Sequence, residues 1–353
     1  MADAAAVQTG VTNLIRHCVA VEPGEAVLLL NERGALDADL AVLLEQAIAD
    51  AGGAPYSLWV DSLGRAEELP APVAGAVLGA DKLLLNCNLN RAVLLDHLRA
   101  NDAAGLVRIN NRIRAPEGMT TPHAHFDWRL VMALAHRIEE RTAQASTYRV
   151  TSPRGTEVTG RVASGSEVAD AFFVQDAEMS RSERVFPGEV YAPIGSAKGN
   201  GVVAFDHPGM ADREQFHNPM LLEIRDNTLT GIEWREEPSR ENQKDDPTGN
   251  TVWTSTQLQH LLDVSEARYG TEAAYALDSF HGGFHPKATK RPGQQSNQDV
   301  MHFHIGRTPS PLSAYVSDQT IELDGQLFWE NGRSTLLQEA HIREMAQEYG
   351  EEI

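Results

Sequence analysis

The sequence predicts an α/β protein with an N-terminal parallel α/β domain followed by a β-rich α+β domain. Three observations carry this expectation. Short apolar runs alternate with helix-compatible stretches over the first part of the chain, a pattern that builds strand–helix–strand units and hence a parallel sheet. After Gln144 the texture changes to strand-like alternation punctuated by Gly and Pro. The last third then concentrates histidines in glycine-rich and apolar runs. The boundary is expected near 142–147, which divides residues 1–143 from residues 144–353.

Taken in order, the chain opens on an amphipathic segment through Cys18 and Val19, turns at Pro23-Gly24-Glu25 and enters the buried run AVLLL. Apolar positions near helical spacing predict a helix from about Asp37 to Ala51, stopped at Gly52-Gly53. PYSLWVD resumes as a strand, and a second unit follows: a helical region at 71–80, a strand at Lys82–Leu85, a helix at Ala92–Ala100 and a strand at Gly105–Ile109. No GxGxxG or GxxxxGK[ST] follows any of these strands, so a nucleotide cofactor is not indicated. His123 and His125 precede a helix expected from Asp127 to Glu140, where they cap it or line a cleft.

In the second part, YRVTSPRGTEVTGRV reads as strands with a turn at Pro153-Arg154-Gly155. The tight turn Pro187-Gly188 delivers Glu189, a carboxylate flanked by apolar strand residues that calls for a cation or a metal, unless it lies exposed at a strand edge. A second glycine-rich turn is expected before VVAF, and a polar surface loop from Glu236 to Gly249. A helix is predicted at about Thr254–Tyr269 and a hairpin in QTIELDGQLFWENG with Asp324-Gly325 at its turn. A charged helix closes the chain, with His341 facing solvent.

Length and composition narrow the function. An apolar fraction of 42% over 353 residues fills a real core, and no apolar run approaches the about 18 residues of a membrane span. Without a signal-peptide pattern, a cytoplasmic protein is expected. A formal charge of −20 disfavours nucleic acid and anionic membranes as partners. Cys18 and Cys87 lack CxxC spacing and read as buried small hydrophobes rather than a disulfide or a thiolate zinc site.

The stretch Tyr275 to Gly306 carries the chemistry. His302 and His304 lie in MHFHIG, whose alternation suits a strand, so both imidazoles leave one face about 7 Å apart. His281 and His285 bracket a Gly-Gly-Phe, where missing side chains let the backbone approach something bulky or bound. Four histidines in this span point to a metal site. The competing reading is a buried hydrogen-bonding cluster or a polar cleft wall.

With these residues in view, the layout resembles the metalloaminopeptidases of the aminopeptidase T type and their relatives, the dihydroxypyridine ring-cleaving dioxygenases. The matching pieces are LIRHCVAVEPGEAVLLL, VTSPRGTEVT, FPGEVYAPIGSAKGNGVV, GGFHPKA, MHFHIG and TIELDGQLFWENG, in that order. The resemblance implies the aminopeptidase T-like fold, a symmetric homo-oligomer and a metal site. Carried over by position, Glu189 matches the first of the aminopeptidase glutamates and His302 the strand histidine. The place of the second glutamate falls near Ser279 to His281, and the later His-x-Asp falls near Pro311 to Ser313, where no ligand stands. Bridging carboxylates hold two cations about 3.5–4 Å apart, so their loss argues against a two-metal peptidase. The dioxygenase relatives use one iron with two histidines and an aspartate, one histidine arising from the region of His281. Where they place a histidine after a first-domain strand, this chain has Asn86, Cys87, Asn88 and Asn90.

The expected ligands are therefore His281, His302, His304 and Glu189. A nitrogen-rich set of this kind suits Fe(II) first, with Zn(II), Mn(II), Co(II) or Cu(II) as alternatives, and disfavours Mg(II) and Ca(II). The expected reaction is dioxygenation of a small hydroxylated N-heteroaromatic or catechol-like ring, with His285 or His281 as general base. Tyr275, Phe284, Phe303 and Arg307 are the expected pocket residues. The alternatives are an aminopeptidase- or amidase-type hydrolase with a reduced metal site, and a metal-free binding protein.

Overall fold

The computed structural model describes residues 3–163, 182–188, 191–206, 216–234, 255–287, 300–307 and 312–353. The chain groups into two compact units. One comprises Met1–Met132 with Asp176–Glu189 and Gln347–Glu352, and the other Ala133–Gln175 with Val190–Ala346 and the terminal Ile353.

The first unit is built on a parallel sheet. Its early strands are β1 Ala26–Glu32, β2 Ala54–Val60, β3 Lys82–Asn86 and β4 Val107–Asn111, separated by helices α2 Ala38–Asp50, α3 Ala71–Leu78 and α4 Arg91–Ala100. Before them α1 Ala4–Thr12 continues into a π-helical segment, Asn13–Val19, that ends on Ala20 with φ 55°. The predicted strands and helices of this part are therefore present in order, α2 starting where the Asp37 carboxylate accepts the N–H of Asp39.

A fifth strand comes from much later in the chain. β7 Glu183–Phe186 pairs parallel with β4, giving the order β2-β1-β3-β4-β7 among the described residues. The sequence places ERVF in the β-rich text, because a four-residue apolar run carries no mark of which sheet receives it. Both faces of the sheet are covered, which is why β1 is apolar without alternation. Leu29, Leu84, Ile109 and Phe186 pack with α1 and α2 residues such as Val11, Leu40 and Leu44. Leu28, Leu30 and Leu83 pack with Val73, Val77, Leu94 and Leu98 of α3 and α4.

The carboxyl ends of these strands are tied by amides. Asn86 donates to Asn31 Oδ1 at 2.9 Å and Asn111 donates to Asn86 Oδ1 at 2.8 Å, all three fully buried. Asn111 also donates to the Ile113 carbonyl and accepts its N–H. A satisfied buried ladder of this kind fixes strand register, since each unpaired amide would cost about 1–3 kcal/mol. After β4, the short α5 Pro122–His125 is capped by the Thr121 hydroxyl, and the His125 ring bonds the Ala6 carbonyl at 2.8 Å. His125 is thus a structural tie, and α6 Trp128–Gln144 follows.

In the second unit an antiparallel sheet curls into a half-barrel. It contains β5 Thr147–Thr151, β6 Glu157–Val162, β8 Tyr191–Phe205, β9 Met220–Arg225, β10 Thr228–Glu233, β11 Leu277–Gly283, β12 Val300–Ile305, β13 Leu312–Ser317, β14 Thr320–Leu323, β15 Gln326–Glu330 and β16 Arg333–Ser334. The order is β13-β12-β11-β8-β6-β5-β14-β15-β16, with β9 and β10 joined to β8. One edge of β8 serves β11 through Tyr191–Gly195 and β9 through Gly201–Phe205, while the other edge pairs with β6. The expected glycine-rich turn before VVAF is absent. Lys198 and Gly201 take φ 53° and 137° inside one continuous strand, and the register shift against β6 bends it instead.

The predicted hairpin stands, with Asp324 and Gly325 at φ 48° and 76°, the two left-handed residues of a hairpin turn. α7 Ser255–Tyr269 and α8 Thr271–Tyr275 precede β11, and α9 Ala340–Tyr349 closes the chain with the His341 side chain 53% exposed. Glu189 and the loop expected at Glu236–Gly249 lie outside the described residues. Among the described residues no helix is long and apolar enough to cross a membrane.

Candidate metal centre

Strand alternation in β11 and β12 decides which side chains meet. The pairing sets His281 directly opposite His302 and Ser279 opposite His304. Beyond β12, His302 pairs with Tyr315 and His304 with Ser313 on β13. Side chains two apart share a face. One face therefore carries His281, His302, His304, Ser279, Ser313 and Tyr315, and the other carries Phe280 and Phe303, which pack with Tyr148 at centroid distances of 4.8 Å (Tyr148–Phe280) and 5.7 Å (Phe280–Phe303). Phe303, expected in the pocket, is consequently core. The alternation that puts both histidines of MHFHIG on one side puts the phenylalanine between them on the other.

The three imidazoles converge. Ring centroids lie 4.6 Å apart for His281 and His302, 4.2 Å for His281 and His304, and 4.9 Å for His302 and His304. Each offers a ligand nitrogen, and these nitrogens lie within 4.8 Å of one another. Imidazole nitrogens bind a transition-metal ion at about 2.0–2.1 Å, so small ring rotations close the set on one ion. His302 is buried and the other two half-buried. Burial, followed by the neighbouring rings, holds His281 well below the ordinary histidine range, and burial with His304 does the same to His302. Both are therefore neutral near pH 7, the form that coordinates metal. The Ser279 hydroxyl, 3.1 Å from His281 Nε2, orients that ring in the way outer partners of metal ligands do. The donor chemistry fits a divalent transition metal.

Other expected residues lie elsewhere. His285 follows β11, is fully buried and accepts the Lys287 N–H at Nδ1 over 3.1 Å, which in the neutral ring leaves the proton on Nε2. It does not belong to the convergent group. Tyr275 ends α8, its hydroxyl accepting from Gln259 Nε2 at 3.1 Å. Arg307 Nε sits 3.7 Å from the Asp278 carboxylate, which is buried in β11. Phe284 is buried. The Gly282-Gly283 pair admits a protein side chain rather than a ligand. A Cβ on Gly282 would lie 2.7 Å from the Trp329 ring, whose Nε1 donates to the Gly283 carbonyl at 2.6 Å.

Sequence reading missed Ser279, Ser313 and Tyr315. Tyr315 lies 5.1 Å from His302 between ring centroids, with its phenol pKa raised by burial against a lowering contribution from Ser313. LSAYVS alternates, but nothing local says that it pairs with the histidine strand.

No protein-family model and no curated protein matches the sequence. Among the solved structures that match, two cover nearly the whole chain. A 2,5-dihydroxypyridine dioxygenase from Pseudomonas putida KT2440 superposes with a TM-score of 0.64 at 13% identity, covering 93% of this chain and 96% of that one. AmpT from Thermus thermophilus gives 0.55 at 12% identity, covering 94% and 99%. The chain shares their fold.

Proposed function

We propose that the chain is a mononuclear metal enzyme, a non-haem iron(II) ring-cleaving dioxygenase acting on a hydroxylated N-heteroaromatic or catechol-like ring. The carrying observation is the convergence of three histidine nitrogens on one sheet face with no carboxylate in the group among the described residues. Three imidazoles hold one ion and leave its far side open for a chelating substrate. A two-metal hydrolase needs bridging carboxylates, which this set does not supply. The likeness to a 2,5-dihydroxypyridine dioxygenase supports the reaction class.

His281, His302 and His304 are the proposed ligands. Fe(II) bound there would supply the one-electron chemistry that dioxygen requires. The protein's own groups do the rest. The Ser279 hydroxyl beside His281 and the Tyr315 ring beside His302 orient the ligand rings, and the Ser279 hydroxyl offers a hydrogen bond to a ring substituent. His285 handles the substrate hydroxyl proton: as found its Nδ1 accepts the Lys287 N–H, which puts the proton of the neutral ring on Nε2, and acting as base from Nε2 requires the other tautomer, with the Lys287 N–H bond released. Tyr275 and Arg307 are proposed to meet the substrate from α8 and the end of β12. A small-molecule partner and a homo-oligomeric assembly complete the reading.

A hydrolase is the second reading, favoured by the AmpT fold match and by the suitability of three histidines for zinc. Metal analysis of anaerobically purified protein, with oxygen uptake on 2,5-dihydroxypyridine and catechol, separates them. About one iron per chain with substrate-dependent oxygen consumption is expected. Two zinc or cobalt ions per chain with oxygen-independent hydrolysis of an aminoacyl anilide would sink the dioxygenase.

A further inference from the structure

The first unit contains a cavity of about 290 Å³ beside α4, over the face of β3, β4 and β7. Its lining carries three guanidiniums, Arg91, Arg108 and Arg114, against one carboxylate, Glu183, among the described residues. In a chain of net charge −20 such a local excess of positive charge stands out. Register explains part of it. Arg108 pairs with Glu183 across β4 and β7, and its side chain is 1% exposed. Arg91 brings Nε and Nη2 to Glu183 Oε2 at 2.9 and 2.6 Å, and Arg108 Nη2 reaches the same oxygen at 3.4 Å. One carboxylate thus serves two guanidiniums.

Arg114 differs. It follows β4, is half-buried, and its bond is to a neutral acceptor, the Asn111 carbonyl. Burial pulls its pKa below the ordinary value although Cys87 and Glu32 act to raise it, so the charge still sits there at an electrostatic cost that a further anion would relieve. Leu85, Leu89 and Leu94 supply apolar lining. Cys87 and Asn88, just past the end of β3, line the cavity. The first turn of α4 also faces it, and the α4 N-cap residue Asn90 makes no side-chain cap bond, its amide going instead to the Ala66 carbonyl.

We propose that this cavity binds a small organic acid, its carboxylate held by the Arg114 fork and its apolar body against Leu85, Leu89 and Leu94. Guanidinium is the side chain whose planar donors match a carboxylate in two bonds. The apolar lining selects an acid with a hydrocarbon or aromatic body over a bare inorganic anion. A volume near 290 Å³ admits a compact molecule of on the order of ten non-hydrogen atoms, taking each as about one water's share of volume. This site lies within the first unit and does not depend on the metal reading.

Titration calorimetry of the full chain, kept metal-free with chelator, tests it with benzoate, benzamide and inorganic phosphate. Benzoate is expected to bind saturably, with benzamide and phosphate each at least tenfold weaker. Arg114→Met is expected to lose benzoate affinity at least tenfold, Arg114→Lys to retain part of it, and His302→Asn to leave it unchanged. Equal binding of benzamide, equal binding of phosphate, no saturable benzoate binding, or an effect of His302→Asn matching that of Arg114→Met each overturns the proposal. Circular dichroism melts of the variants establish that they fold. If Arg114→Met does not, the benzoate, benzamide and phosphate comparison on the unaltered chain still decides.

Discussion

His302 is the residue on which the centre turns, because its partners on both sides, His281 on β11 and Tyr315 on β13, are set by register. Substituting His302→Ala is expected to lower metal affinity by more than about 100-fold, beyond the range for outer partners, and metal content after dialysis measures it. Ser279→Ala, which removes the hydroxyl beside His281 Nε2, is expected to weaken metal binding by about 10–100-fold while leaving one ion per chain at saturating metal. Protons compete with the metal and with the fold in a direction that can be worked out. The folded-state values of His281 and His302 lie below the ordinary 6.5. Between those values and about 6.5 the unfolded chain therefore binds more protons than the native one, so stability is complete above this window and lost as pH falls through it. Metal-free protein is expected to melt at progressively lower temperature below pH 6.5. A variant with His281 and His302 both replaced by Gln should lose that dependence, and pH-resolved melts check it.

Single strands and their contacts are tested by different substitutions. Gly282 lets the Trp329 ring lie against β11, and Gly282→Ala would put a methyl 2.7 Å from that ring. The expected loss is about 1–3 kcal/mol, read by denaturant unfolding, and since Gly282 adjoins His281 the metal affinity should fall with it. At the end of β8, Asp206 accepts the N–H and hydroxyl of Ser317 on β13. Burial pushes its carboxyl up to about 7 in spite of Arg154 and Ser317. The sign is opposite to that of the histidines: between about 4 and 7 the native state holds a proton that the unfolded chain releases, so this group's contribution declines as pH rises through that range. Asp206→Asn keeps an acceptor for Ser317 and is expected to raise the melting temperature at pH 8 and change little at pH 5. An unchanged melt at pH 8 would remove the carboxylate from the account. The elements themselves were largely legible. Helical spacing and the Gly52-Gly53 stop located α2, and Asp324-Gly325 located the last hairpin. The continuity of β8 through Lys198 and Gly201 was not, because a local glycine-rich run reads the same for a turn and for a bulged strand.

At the scale of the whole chain the fold is shared with a 2,5-dihydroxypyridine dioxygenase and with AmpT, matched at 13% and 12% identity. Shared architecture with so little shared sequence leaves the reaction to the site. If the centre holds its ion only in the native state, excess metal stabilises the chain by mass action, by about 2.7 kcal/mol at a hundredfold excess over Kd. A melt in Fe(II) or Zn(II) against one in chelator is expected to show this shift, and His302→Ala should abolish it. Equal melts of the unaltered chain in metal and in chelator would leave the three imidazoles as a hydrogen-bonding cluster.

By itself the sequence determined the alternation of strand and helix in the first part, the change to β-rich text after Gln144, and the common face of His302 and His304, since all three follow from short-range periodicity. It also marked His281 as a candidate, though in a glycine-rich stretch rather than a strand. Only the tertiary structure decided that His281 stands across from His302, that His285 lies outside the group, that Phe303 is core, and that Arg114 faces a cavity with Glu183, 69 positions away, already shared by two other arginines. Pairing register and long-range packing are set by which strands become neighbours, and neighbouring residues along the chain carry no record of that choice.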